Sequence, residues 1–174
     1  MAKSSSLREY QSGIIARLEA VKAAGAEVSQ SYLGVMIGER HVLVNLQDIS
    51  ETSPIVEIQP VPLVKPWFLG MSNVRGVLYA INDLARMLDG VSTVMTSSTR
   101  LLLMNDSVVS NVAFLVDKLV GLRKLDEMQL TTNVVDDELC LKPESYEDAD
   151  KRLWYVLDSD KLVRSREFSA PYLV

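Results

Sequence analysis

Pro54, Pro60, Pro62 and Pro66 fall close together, and they constrain the fold more than any other feature of the chain. Proline donates no backbone hydrogen bond and fixes φ, so this stretch is neither a continuous helix nor a central strand. It reads as an extended connection crossing between elements. On either side of it, short apolar runs are punctuated by Gly, Pro and Asn. Tyr32–Ile37, a turn at Gly38-Glu39 and Val42–Asn45 form one expected hairpin. Thr99–Met104, a turn at Asn105-Asp106-Ser107 and Asn111–Asp117 form a second. Leu46–Glu51 reads either as a short helix or as a further strand. Val120–Leu125 is another short strand, and Lys151–Asp158 is the last one, closed by a short helix over Ser159–Val163. Thr132–Ser145 is polar and acidic and is expected to be loop; the tail from Ser165 carries no clear signal. Many short strands with few helices available for crossovers favour small barrels over a parallel sheet.

Ahead of these strands, Leu7, Ile14, Ile15, Leu18 and Val21 recur at helical spacing, with Arg8, Glu9, Arg17, Glu19 and Lys22 between them. The spacing predicts one amphipathic helix, ended by Ala23-Ala24-Gly25 and followed by a polar linker. It reads either as an arm for a partner or as a cover over the domain's own core. The expected division is residues 1–31, helix and linker, and residues 32–174, a β domain. An echo runs through that domain: Val77–Asp83 then Leu84–Leu88 matches Leu153–Asp158 then Ser159–Val163, and the hairpin ending near Asp48 matches the one ending at Asp117. Two related β units in tandem produce this pattern, and so does chance alternation, because many strands end in a capping Asp.

Composition narrows the chemistry. The net charge is −5, and no Lys/Arg cluster forms the basic face that a nucleic-acid binder needs. The N-terminus has no apolar segment of the secretory kind and no run long enough to span a bilayer, so a cytoplasmic protein is expected. His41 is the only histidine and sits at an expected exposed turn; Cys140 is the only cysteine, in an acidic stretch that raises a thiol pKa. Zinc sites rich in Cys or His are therefore unavailable, and no calcium-loop spacing is present. Gly70-Met71-Ser72-Asn73-Val74 has Val74 where a nucleophile elbow needs a second glycine. No glycine-rich phosphate loop exists. Neither an enzyme nor a cofactor is expected; the chain reads as a binding module.

The densest signal is Lys65–Leu88. Asn73-Val74-Arg75-Gly76 places an arginine at a glycine turn before an apolar strand, Val77–Ile81, which leads into Asn82-Asp83 and a short helix over Leu84–Leu88. Arg75 is either a structural ion pair or a docking contact. Asp83, Asp117 and Asp158 read as caps and turn formers. Trp67 reads as core anchor or interface residue, with core favoured, and Trp154 as core.

Ile49-Ser50-Glu51, the Pro60/Pro62 region, Gly70-x-x-Asn73-Val74-Arg75-Gly76, the strand ending Asp83-Leu84, and Leu115-Val116-Asp117 together resemble the CheW-like chemotaxis coupling domains, over roughly Tyr32–Val163. Ala80 stands where many members carry proline, and Thr52 where an aliphatic residue is common. Lys65-Pro66-Trp67-Phe68-Leu69-Gly70 and the helical extension are most similar to the pilus-associated, PilI-type members. The resemblance implies two small five-stranded SH3-like barrels and no enzymatic activity. It also implies an adaptor between the regulatory domain of a CheA-type histidine kinase and the cytoplasmic tip of a methyl-accepting chemoreceptor. Type IV pilus twitching motility is the expected pathway, with flagellar chemotaxis as the alternative. The residues so implied in partner binding are Glu51, Asn73, Val74, Arg75, Gly76 and Val77, with Glu51 and Arg75 near one another.

Overall fold

The computed structural model describes residues 31–132 and 140–173, together with Ala16; the amphipathic helix expected over residues 7–22 lies outside the described residues. The strands are β1 (Ser31–Ile37), β2 (Arg40–Asn45), β3 (Ile49–Pro54), β4 (Phe68–Val74), β5 (Val77–Asp83), β6 (Arg100–Met104), β7 (Val112–Val116), β8 (Lys118–Lys124), β9 (Gln129–Thr132), β10 (Leu141–Glu147) and β11 (Leu153–Leu157). The short helices are α1 (Leu84–Asp89), α2 (Ser159–Arg164) and α3 (Arg166–Ser169). Leu46–Glu51 divides into a 3-10 turn over Leu46–Asp48, capped by the Asn45 side chain, and the start of β3.

The strands form two sheets, a six-stranded one in the order β8-β1-β2-β11-β10-β9 and a five-stranded one in the order β3-β6-β7-β5-β4. This corrects the expectation of two five-stranded barrels: one sheet has an extra edge strand, and neither closes by a ladder between its outer strands. The loop expected over Thr132–Ser145 is corrected at its two ends, where Thr132 closes β9 and Leu141–Ser145 open β10; residues 133–139 lie outside the described residues. Pro143 and the charged Lys142 and Glu144 interrupt the alternation of β10. Its register on β11 slips between Leu141 and Ser145, the kind of irregularity that admits a proline.

The internal echo is topological. The order β8-β1-β2-β11-β10 repeats in β3-β6-β7-β5-β4, and in each unit the strand before the helix lies parallel to the second strand of the hairpin, β11 on β2 and β5 on β7. Asp83 Oδ1 accepts from Arg86 N at 3.2 Å and Asp158 Oδ1 from Lys161 N at 3.0 Å, so both aspartates cap the helices that follow. Asp117 instead ties a turn, accepting from Gly38 N at 2.7 Å. The third strand of each unit leaves for the other sheet: β3 follows β2 yet pairs with β6, and β8 follows β7 yet pairs with β1. The two halves are thus interlocked.

Both hairpins are buried on both faces, which is why Leu101–Met104 and Val112–Val116 are unbroken apolar runs. One face supplies a core shared by the two sheets: Leu33, Val35, Ile37, Val42 and Val44 meet Leu102, Met104, Val112, Phe114 and Val116, with Leu84 and Leu162 from the helices. The opposite faces fill separate interiors, Ile81, Leu101, Leu103, Ala113 and Leu115 in one sheet, Tyr32, Leu43, Trp154 and Val156 in the other. Trp154 is fully buried, and Gly34 makes room for it: a Cβ there would lie 2.8 Å from its ring. Trp67 is buried too, as the core reading expected.

His41 departs from its expected exposed turn. It lies in β2, half-buried, with its ring 4.8 Å from that of Trp154. Burial and the nearby Arg152 lower its pKa, with Asp148 opposing. The Cys140 thiol is pushed up, mainly by burial.

Because each half supplies a strand to the other, the two sheets should unfold together. Single-tryptophan variants, Trp67→Phe and Trp154→Phe, report on the two sheets separately; their denaturant transitions should coincide, whereas two midpoints would show independent halves. Gly34→Val should destabilise by roughly 1–3 kcal/mol through overpacking against Trp154, measurable as a lowered denaturation midpoint.

Candidate docking site

At the end of β4 the chain reverses through two residues. Arg75 has φ 52° and Gly76 φ 87°, the pair of positive values that matches a tight hairpin turn to the twist of its strands. Glycine adopts this conformation freely; arginine does so at a cost, and such positions cluster where geometry matters. Asn73 Oδ1 accepts from Gly76 N at 2.8 Å and holds the turn from within. Val74 and Val77 face each other across the last rung of the ladder. The Val74 side chain points into the five-stranded sheet's interior and supports the turn from beneath. Val77 and its neighbour Leu78, 55% exposed, stand in solvent beside Arg75.

Glu51 completes the site from β3, the opposite edge of the same sheet. Its Oε1 lies 2.6 Å from Arg75 Nη1, so the ion pair spans the seam between the two edge strands. This is a single contact. Glu51 Oε1 is buried as an atom and receives no aligned hydrogen bond, so the bidentate geometry open to a Glu–Arg pair is not adopted. The Arg75 side chain is 72% exposed against 33% for Glu51. Water screens such a pair to about 0–1 kcal/mol. The seam has firmer ties further along: Gln59 and Met71 exchange backbone bonds of 2.7 and 2.9 Å, and Ser72 Oγ donates to Glu57 O at 2.6 Å. Gly70 permits that approach, since any side chain there would strike the Gln59 carbonyl.

Five of the six residues expected at the site, Glu51, Asn73, Arg75, Gly76 and Val77, therefore gather at one end of the five-stranded sheet, with Val74 below them. Leu78 belongs with them and was missed, because Val77–Ile81 read as a uniformly apolar strand. Strand alternation breaks down where a hairpin tip projects beyond its sheet, and adjacent side chains on both faces then meet solvent. The site's exposed surface is a cation, a shielded carboxylate and two aliphatic side chains on a stiff turn. It suits recognition by shape.

Elsewhere, a groove of about 720 Å³ is lined by Arg40, His41, Asp89, Arg152 and Tyr155 among others. Its charges are spent locally: Arg40 pairs with Asp89 and lies 5.9 Å from the Tyr155 ring centre. Among the described residues, no three His, Cys, Asp or Glu side chains are placed to hold a metal ion, and no helix is long and apolar enough to cross a membrane.

Comparison with known proteins agrees with the fold. A protein called "Chemotaxis protein CheW", from Thermotoga maritima, is 28% identical over 131 residues, covering 75% of this chain and 85% of its own. The crystal structure of the scaffolding protein TtCheW from Thermoanaerobacter tengcongensis superposes with a TM-score of 0.66 at 13% identity, over 80% of this chain and 90% of that one, and shares the fold. The family model described as "CheW-like domain" matches residues 31–167, from the first strand to the last short helix but for two residues, so the chain belongs to the CheW-like domain family.

Proposed function

We propose that this chain is a non-enzymatic adaptor of the cytoplasm that couples methyl-accepting chemoreceptors to the regulatory domain of a CheA-type histidine kinase. Family membership supports a scaffolding role in chemotaxis signalling, and the exposed, rigid turn at Arg75 is the observation that carries the reading to particular residues. Glu51, Asn73, Arg75, Gly76 and Val77 form the contact surface, with Leu78 beside them and Val74 as its buried support. Arg75 acts by geometry: the ion pair to Glu51 sets how the turn presents Val77 and Leu78, and these aliphatic side chains give a partner apolar area to cover. Residues 32–174 are the coupling domain, preceded in the sequence by residues 1–31.

The pathway we favour is type IV pilus twitching motility. The Lys65–Gly70 segment and the amphipathic pattern of residues 7–22 are the features similar to pilus-associated members. A flagellar coupler with the same contact surface fits family membership equally well, and the name of the Thermotoga relative accords with it.

A pulldown with receptor-tip and kinase regulatory fragments, wild type against Arg75→Glu, tests the reading. The reversal puts two carboxylates at the seam, and it should weaken assembly at least tenfold. The circular dichroism spectrum should stay unchanged and the unfolding free energy should fall by no more than about 1 kcal/mol, as an exposed pair implies. Unfolding of the variant, or full retention of both partners, contradicts the proposal. Fragments from pilus and flagellar systems run side by side decide between the pathways.

A further inference from the structure

The segment after α2 makes its contacts with residues about a hundred positions earlier. Glu167 Oε1 accepts from Trp67 Nε1 at 2.8 Å, and Glu167 Oε2 lies 2.9 Å from Lys65 Nζ. The Phe168 ring stacks on Trp67, centroids 6.2 Å apart and planes 16° from parallel, and lies 5.9 Å from Phe114. Beyond α3 the chain turns extended. Pro171, with no N–H to offer, accepts from Lys65 N at 2.7 Å, and Leu173 N donates to Leu63 O at 2.9 Å. Val64 and Tyr172 face each other as an antiparallel bridge between those two bonds. Leu63 is held at φ 57° and is 76% exposed as a residue, a costly conformation for a bulky side chain, and its carbonyl is the acceptor in this pairing.

These contacts have the form of peptide recognition: a carboxylate caught by an ammonium and an indole N–H, an aromatic anchor in an apolar slot, then strand addition to a free backbone edge. The geometry points to a second binding site, formed by Leu63, Lys65, Trp67 and Phe114. We propose that it takes short linear peptides carrying a carboxylate followed by an aromatic side chain, and that Arg166–Leu173 is its resident ligand in cis. The segment joins the body through one extended residue, Ser165, which ends α2 and caps α3. None of these bonds to Lys65, Trp67 or Leu63 depends on that covalent link, so a free peptide with the same groups can make them. The site precedes β4, whereas the Arg75 turn follows it, so the two surfaces sit at opposite ends of one strand.

The test uses the full chain carrying Glu167→Gln and Phe168→Ala, which weakens the resident ligand and leaves the receiving residues intact. The probe is a labelled synthetic peptide of residues 166–174. It should bind the variant at least tenfold more tightly than wild type, whose site is filled, and a peptide with Lys in place of Glu167 should lose that binding. A folded variant that fails to bind the probe, or binds it no better than wild type does, overturns the proposal. Should the variant not fold, hydrogen exchange in wild type decides. The amides of Lys65 and Leu173 should exchange together, at least tenfold faster than that of Leu102 in β6. Exchange of all three at one common rate means the segment leaves only on global unfolding, and the proposal fails.

Discussion

The fold depends on the shared core between the two hairpins. β1–β2 and β6–β7 each bury both faces, one against the other hairpin and one inside its own sheet. Neither unit can be removed without exposing the largest apolar surface of the other. The exchange of β3 and β8 adds backbone bonding to the same dependence, since each sheet completes an edge with a strand from the other half. At roughly 25 cal/mol per Å² of apolar area removed from water, burial on this scale outweighs any ion pair on the surface.

That imbalance bears on the proposed role of the Arg75 turn. A single screened contact between Arg75 and Glu51 contributes little to stability, yet it joins the two edge strands of a sheet that no ladder closes. The frame beneath is rigid for other reasons, Val74 packed in the interior, Asn73 bonded to Gly76 N, and Gln59 bridged to Met71. On the proposed reading, the pair acts on how a turn that is already formed is presented. Such a contact can be decisive for recognition and minor for folding, because binding depends on which arrangement is presented while stability depends on the whole core.

Much of this was legible in the residues. Prolines forced the crossing connection, Gly38-Glu39 marked a hairpin, Arg75-Gly76 marked a turn before an apolar strand, and Asp83 and Asp158 announced the helices they cap. The spacing of those aspartates also carried the repeat, although only the strand orders distinguish it from chance alternation. What failed to show depends on contacts distant in the chain. The strand β10 was obscured because Lys142, Pro143 and Glu144 fall at a slip in register, where periodicity carries no information. The half-burial of His41 is caused by Trp154, which sits far from it in sequence and beside it in space. Leu78 was read only as part of an apolar strand, because nothing local says where a hairpin outgrows its sheet. The openness of both sheets, and the pairing of Leu63–Lys65 with the C-terminal segment, likewise follow from tertiary placement alone.

The most direct examination of the docking surface is backbone amide mapping by NMR while receptor-tip and kinase fragments are titrated in turn. Shifts concentrated at Glu51–Ser53 and Asn73–Leu78, with β9 and β10 unchanged, are the expected outcome if the Arg75 turn is what a partner reads. Perturbations confined to β9, β10 or the groove beside His41, with the turn silent under saturating amounts of both fragments, would contradict it.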